Sequence, residues 1–441
     1  MKVLVVKTEN MKTKFTTIKN IIYNLIHKAG FFLFLFLLQC QTEVVTPESV
    51  EPNPFEAKMD DIKLVAQNYW NTSDGKESGR ASSTNEIKEI ETVVDDDKSP
   101  LFYVINYKEG GFIVVSSDLR TMPVLAYSET GDLDSKQAPT VNGLKIWFDF
   151  AKNQIKSIKK ETYSADSIVI KEWKKYAVTK RSKSSGRTSG VATNTSCQEW
   201  YTIGQYMCQN STYIRGSLLS WPDNSTGVSW GQNGISNFLI PARAGCGACN
   251  RDPAGCGPVA MAQVLWHHRP SNSYNYASMP LSSNTSCTAS TFGEIELARV
   301  MEQCGARASS NYHYAFSCNT YTNPWNIPAA ISSFGMSNGG SVSSGFNPSI
   351  IENEIAQNNP VILFAADAIT SWHIWVCDGV KRHEYNTYNC DTGYCDTWSY
   401  TYFYMNWGWN GASNAWFAAG NFNSGNGNYN NQIHMIKGIR R

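Results

Sequence analysis

The sequence predicts an α+β fold, helices early and an antiparallel sheet late, on three observations. A strand-turn-strand pattern, "LFYVINYKEGGFIVVSSD", begins at Leu101, with β-rich runs Leu101–Tyr107 and Gly111–Ser116 around a Lys-Glu-Gly-Gly turn. Helical patterns follow Cys256, cover Glu294–Gln303 and recur in "NPSIIENEIAQNN", where Asn347 is a good cap and Pro348 suits the first turn. Apolar strand-like runs then close the chain at 360–366, 373–380 and 401–409.

The elements divide the 441 residues into segments. Residues 1–40 read as a signal peptide: "MKTKFTTIKN" from Met11 is basic, and the short apolar core "FFLFLFLL" ends at Gln39-Cys40. A cysteine directly after such a core is expected to be a lipidation site at Cys40, although Gln39 departs from the small residue usual there. A plain secretion signal is the alternative. Residues 41–54 are a polar linker. Over 55–70 the apolar positions Ala57, Ile62, Val65, Ala66 and Tyr69 fall at helical spacing, and 71–99 is polar and expected to be loop-rich. The hairpin follows, then a strand in "MPVLAYSETG" and an amphipathic helix in "NGLKIWFDFAKNQIKSIKK". Together 55–175 make a small α+β domain. Residues 176–190 contain "KRSKSSGRTSG", basic and Ser/Gly-rich, which reads as a flexible linker and a protease-sensitive junction. Residues 191–441 form the larger domain, richer in Gly, Asn, Ser, Tyr and Trp.

A net charge of +1 with no basic stripe gives no electrostatic footprint for nucleic acid. Of 12 cysteines, eleven follow the signal segment, so at least one is expected to stay unpaired within the chain. Cys390 with Cys395, and Cys197 with Cys208, are expected as local bridges.

The stretch "AGCGPVAMAQVLWHH" offers three roles for Cys256: structural, metal-ligating or nucleophilic. A helix start supplies free N–H groups and the positive end of the dipole, which favour a thiolate and can hold a developing oxyanion. A disulfide or buried thiol is the commoner fate of a cysteine in an exported protein. Cys246 and Cys249 in "AGCGAC", with His267 and His268, suggest zinc at first sight. Those histidines lie three turns along the helix, roughly 15 Å away at about 1.5 Å rise per residue, so they cannot share an ion with Cys256. No metal and no cofactor are expected. A thiolate nucleophile needs a base and a group to orient it. His373 opens "HIWVCDGV" where a loop meets a buried strand, whereas His313 and His383 sit in polar, loop-like runs. In "NWGWNG", Asn406 can accept from an imidazole and Trp407 can shield that bond; an aromatic core strand is the plainer reading. Gln232 in "SWGQNG" can supply a second oxyanion donor or be an ordinary surface glutamine.

The ordered set Gln232, Cys256, His373 and Asn406-Trp407 resembles the streptopain family of papain-like cysteine peptidases. "GCGPVAMAQVLWHH", "HIWVCDGV" and "NWGWNG" match that family's helix, histidine-strand and Asn-Trp elements, and "WGQ" fits ahead of them. The resemblance implies a nucleophile helix packed on an antiparallel sheet. Cys256 would be the nucleophile and His373 the general base and acid. Gln232 with the Cys256 N–H would form the oxyanion hole, and Asn406 and Trp407 would orient and shield His373. "FYVINYKEGGFIVVSSDLRTMPVLAYSETG" resembles the family's propeptide, which implies a zymogen inhibited by its own N-terminal domain and activated by cleavage in 176–190. Gly257-Pro258 departs from the usual Val-Ala, and Arg243–Ala254 is longer and richer in Gly and Cys than usual. Cys377 is expected to be a buried free thiol.

The expected function is therefore an exported cysteine endopeptidase, secreted or surface-anchored in a bacterial cell envelope, acting on protein or peptide substrates. Its own propeptide would be an intramolecular inhibitor, and Cys40 the point of a lipid anchor. The other classes open to this sequence are a retired binding or inhibitory protein of the same fold and a thiol acyltransferase or amidase.

Overall fold

The computed structural model describes residues 53–71, 86–136, 142–162, 164–165, 167–177, 208, 211–216, 227–247, 249–270, 272–368, 371–388, 395–419 and 433–441. The signal-like segment with Cys40 and most of the 176–190 linker lie outside them, as do Cys197 and Cys390. No helix among the described residues is long and apolar enough to cross a membrane.

Helix α1 (Met59–Asn68) buries Ile62, Val65 and Ala66, the positions at helical spacing. Strands β1 (Ile87–Val94), β2 (Pro100–Tyr107), β3 (Phe112–Ser116) and β4 (Val124–Ser128) form an antiparallel meander. β1 falls in the stretch expected to be loop. Lys88, Glu89 and Glu91 are charged and every residue but Val93 is at least part-exposed, because it lies at the sheet edge, where charge blunts further pairing. The expected hairpin is β2–β3, with Gly110 and Gly111 both at positive φ in the turn. Helices α2 (Asn142–Lys159) and α3 (Ser167–Ala177) complete the N-terminal part.

β5 (Ser211–Gly216) precedes α4 (Cys256–His268), whose residues from Gly257 through Trp266 are all buried. A helix apolar all round belongs inside a core. α5 (Phe292–Arg307) starts with a capping box between Thr291 and Glu294. The two-residue strands β6 (Asn311–Tyr312) and β7 (Thr320–Tyr321) frame a small hairpin. Then come α6 (Ile327–Ser332), β8 (Asn338–Ser344) and α7 (Pro348–Ala356), where Asn347 caps by accepting from the Ile350 N–H at 3.1 Å. β9 (Val361–Ala368), β10 (Ser371–Tyr388), β11 (Cys395–Asn406), β12 (Ala415–Ala419) and β13 (Ile433–Arg440) finish the chain. β10 runs past the expected end at Val380 and takes in His383, buried in the sheet opposite Tyr400. β11 stops at Asn406, so Trp407–Trp409 lie in the turn beyond it.

The main sheet is ordered β1-β2-β3-β4-β12-β11-β10-β9-β13-β8, with β5 added on β10. N-terminal and C-terminal strands thus share one sheet, joined where β4 pairs β12 at Tyr127–Trp416 and Ala126–Phe417. One apolar core runs across the junction, with Trp147 and Phe148 of α2 in the same cluster as Trp375, Trp407 and Phe417. A second packs α4 against α5 and the opposite face of the sheet.

The disulfides differ from the local bridges expected. Cys395 pairs with Cys208 across 187 residues, not with Cys390, and Cys208 is thereby unavailable to Cys197. Antiparallel packing of β5 beside β10, itself beside β11, brings these distant cysteines together. Cys246 pairs with Cys318 and Cys249 with Cys287, while Cys256, Cys304 and Cys377 are free.

Candidate active site

Gly255 sets the start of α4. Its φ of 97° is costly for any residue with a side chain, and a Cβ there would lie 2.8 Å from Thr320 Cγ2. Gly257 is equally enclosed, its would-be Cβ 2.7 Å from Thr322 Cβ, and this accounts for a glycine after Cys256. Pro258 fits the first turn, where no intrahelical N–H bond is lost.

Cys256 is a part-exposed free thiol at the start of this otherwise buried helix. The sequence favours its thiolate; the structure does the reverse. Burial pushes the thiol pKa up, and hydrogen bonding from the backbone at Ile374, Gly257 and Cys256 itself offsets this only partly. Helix-end donors are present, but desolvation outweighs them.

His373 is 3% exposed on β10. Its Nε2 lies 3.1 Å from the Trp407 carbonyl oxygen. A carbonyl only accepts, so Nε2 carries the proton and Nδ1 keeps its lone pair, the arrangement a general base requires. Burial holds the imidazole pKa down at about 4, against the opposing effect of the Trp407 carbonyl. Among the described residues no hydrogen bond joins His373 to Cys256. Burial favours the neutral form of both groups, and no hydrogen bond pairs them.

Asn406 differs from the role the sequence suggests. Its side chain does not reach His373. The amide donates to the Val228 carbonyl at 2.8 Å, and Oδ1 accepts from Gln263 Nε2 at 3.1 Å and from the Gly408 N–H at 3.3 Å. Asn406 and Gln263 are both fully buried, so this junction ties the middle of α4 to the turn after β11. Asn406 thus acts on His373 through the main chain that carries the Trp407 carbonyl. Gln263 lay within the quoted "AMAQ", but the helix pattern alone gave it no partner.

The Trp407 ring is 6.4 Å from the imidazole and tilted, whereas Trp409 stacks on it at 4.7 Å. Trp409 is the more direct cover, and only the fold distinguishes it from its neighbour in "NWGW". Trp407 is fixed instead by Nε1 donating to the Ser413 carbonyl at 2.9 Å and by its backbone N–H donating to Asn414 Oδ1 at 3.0 Å.

Gln232 lines a cavity of about 520 Å³ together with Arg251, Cys318, Trp409 and Asn410. Its carbonyl accepts from the Ala254 N–H at 2.8 Å, which fastens the 231–233 loop to the residues just before Cys256. His267 and His268 stand at the far end of α4, where His267 Nε2 contacts the Asn358 carbonyl at 2.8 Å.

The N-terminal part touches this machinery through the same turn. Ser128 Oγ donates to the Asn414 carbonyl at 3.1 Å, and the Asn414 side chain holds Trp407. Trp147 packs 4.8 Å from Phe417, which meets Trp407 at 5.4 Å.

Two family models match. The Spi protease inhibitor model matches residues 56–155 and the Peptidase C10 family model matches residues 230–417. No curated protein matches the chain. Among solved structures, a prointerpain A fragment from Prevotella intermedia is similar at 18% identity and a TM-score of 0.48, covering 80% of this chain and 99% of that one. The chain thus carries a Peptidase C10 (streptopain family) cysteine peptidase domain, with a Spi-type inhibitor propeptide ahead of it.

Proposed function

We propose that this zymogen is an exported endopeptidase in which Cys256 attacks the scissile carbonyl and His373 moves the proton. One observation carries the reading: a free thiol at a glycine-shaped helix start faces a sheet whose buried histidine is already in the Nε2–H tautomer. In the active form His373 Nδ1 would take the thiol proton, and the thiolate would add to the carbonyl. The oxyanion would be held by the Cys256 N–H and the Gln232 amide. His373 would return the proton to the leaving amine. A water deprotonated by His373 would then hydrolyse the thioester, restoring the thiol.

Latency follows from the uncoupled pair. The propeptide strand β4 and Trp147 brace β12 and the Asn414 turn, and that turn fixes the carbonyl to which His373 is tied. Cleavage within 176–190 would release the brace and let the imidazole reach Cys256. Export through the 1–40 segment and a lipid anchor on Cys40 belong to the same proposal. They rest on the basic start, the apolar core and the cysteine that ends it.

The test is casein hydrolysis by the full chain before and after cleavage at the linker, with Cys256→Ala and His373→Ala as controls. Activity is expected only after cleavage and in neither variant. Equal activity before and after, or turnover by Cys256→Ala, refutes it.

A further inference from the structure

We propose that the 243–254 loop and the β6–β7 hairpin form a divalent-cation site, suited to zinc, that opens when the Cys246–Cys318 disulfide is reduced. Its ligands would be Cys246, Cys318, Asp252 and His313. Cys246 Sγ, a carboxylate oxygen of Asp252 and a ring nitrogen of His313 all lie within 4.8 Å of one another. Asp252 is fully buried, and its two oxygens are in different situations. Oδ2 accepts from Arg243 Nε at 2.9 Å, whereas Oδ1 is buried without a partner. The nearest candidate for Oδ1 is His313 Nδ1 at 3.8 Å, too far for a hydrogen bond, and that nitrogen is buried and unpartnered as well. Two buried polar atoms that face each other unpaired are costly, and a cation between them would satisfy both.

In the oxidised chain only these two atoms are good ligands, because a disulfide sulfur is a poor donor to a metal. Reduction changes the set. A small dithiol exchanges with the bridge, its own sulfurs becoming a disulfide while Cys246 and Cys318 become thiols. Cys318 is exposed, so a small reductant can reach the bond. Binding of a zinc ion then displaces both thiol protons and yields a two-sulfur, one-nitrogen, one-oxygen set, with the Arg243 guanidinium balancing part of the charge. Metal–ligand lengths of about 2.0–2.3 Å put tetrahedral ligands about 3.3–3.8 Å apart, so a closing movement of about an ångström suffices.

The location gives the site a purpose. A thiol peptidase works where Cys256 stays reduced, and the same reductant threatens the bridge that pins this loop. The loop runs straight into Gly255 and Cys256, and Ala254 anchors Gln232. A metal bridge would keep that wall in place after the covalent one opens.

The experiment uses the full chain with Cys256→Ala, so that the nucleophile cannot bind the probe, reduced with dithiothreitol, desalted without oxygen and titrated with Co²⁺. A thiolate-to-cobalt absorption saturating at one ion per chain is expected, and none from the oxidised chain. Cys246→Ser, Asp252→Asn and the more exposed His313→Ala should each weaken binding at least about tenfold. The Cys249→Ser/Cys287→Ser pair, which removes the neighbouring bridge, should bind as before. Equal binding by the oxidised chain, full affinity in both Asp252→Asn and His313→Ala, or loss only in the Cys249/Cys287 pair overturns the proposal.

Discussion

His373 is tethered to Asn406 only through the chain: its Nε2 bonds the carbonyl of Trp407, the next residue, while the Asn406 side chain turns inward to Gln263 on the Cys256 helix. The residue that follows in sequence holds the imidazole, and the asparagine holds that residue.

Removing the Asn406 amide strands Gln263 Nε2 in a buried site and frees the Gly408 N–H. Asn406→Ala should cost about 2–4 kcal/mol, and Gln263→Ala somewhat less. The double variant should lose less than the sum, because both remove one contact. Denaturant midpoints of the four chains decide this; strict additivity would show that the two amides are independent.

Trp147 carries the propeptide's aromatic contact with Phe417. Trp147→Ala should remove about 3–5 kcal/mol of packing across the junction. In a chain whose linker has lost its Lys and Arg residues, it should produce measurable casein hydrolysis without cleavage. If the uncleaved variant stays as silent as its parent, the brace does not lie there.

Burial keeps the Cys256 thiol neutral in the zymogen, so alkylation should be slow at neutral pH and rise only above the ordinary thiol range. After linker cleavage the rate should be high already at neutral pH, where thiolate and imidazolium can pair. Iodoacetamide rates across pH measure this directly. Superimposable profiles for the two forms contradict the uncoupled pair.

For His373 the pKa falls from 6.5 to about 4 on folding, so the unfolded chain binds a proton that the folded chain refuses. Stability should therefore drop as pH falls from about 6.5 towards 4, by up to roughly 3 kcal/mol, and this contribution should level off below. His373→Gln should flatten that segment of the stability–pH curve. An unchanged curve means the imidazole is not held neutral.

Gly255 combines positive φ with an enclosed Cα. Gly255→Ala should destabilise by about 1–3 kcal/mol through backbone strain, with more lost to the clash with Thr320. Thermal melting reads the strain, and the cleaved form should lose activity beyond what the melt explains, because the neighbouring Cys256 shifts. A variant with native melting and turnover argues against the strained start.

Local physics was written in the sequence. The Lys-Glu-Gly-Gly hairpin, the cap at Asn347, the helix beginning at Cys256 and the histidine at the head of an apolar strand all depend on periods, turns and caps spanning a few residues. The order of Gln232, Cys256, His373 and Asn406 was legible for the same reason, each within its own short motif. β1 was missed because an edge strand needs only one apolar face and its charges imitate a loop.

Tertiary structure decided everything that depends on which distant segments meet. Cys208 finds Cys395 only because β5 lies on β10, and local spacing pointed to Cys390 instead. Trp409 rather than Trp407 covers the imidazole because the turn after β11 redirects the ring. Whether Cys256 is held as a thiolate or a thiol depends on how far the surrounding fold removes it from water, a cost that can exceed the benefit of the helix-end donors and has no signature in the helix's own residues. The sequence determined which reactive groups the chain offers; packing decided that Cys256 and His373 are not hydrogen-bonded to each other here.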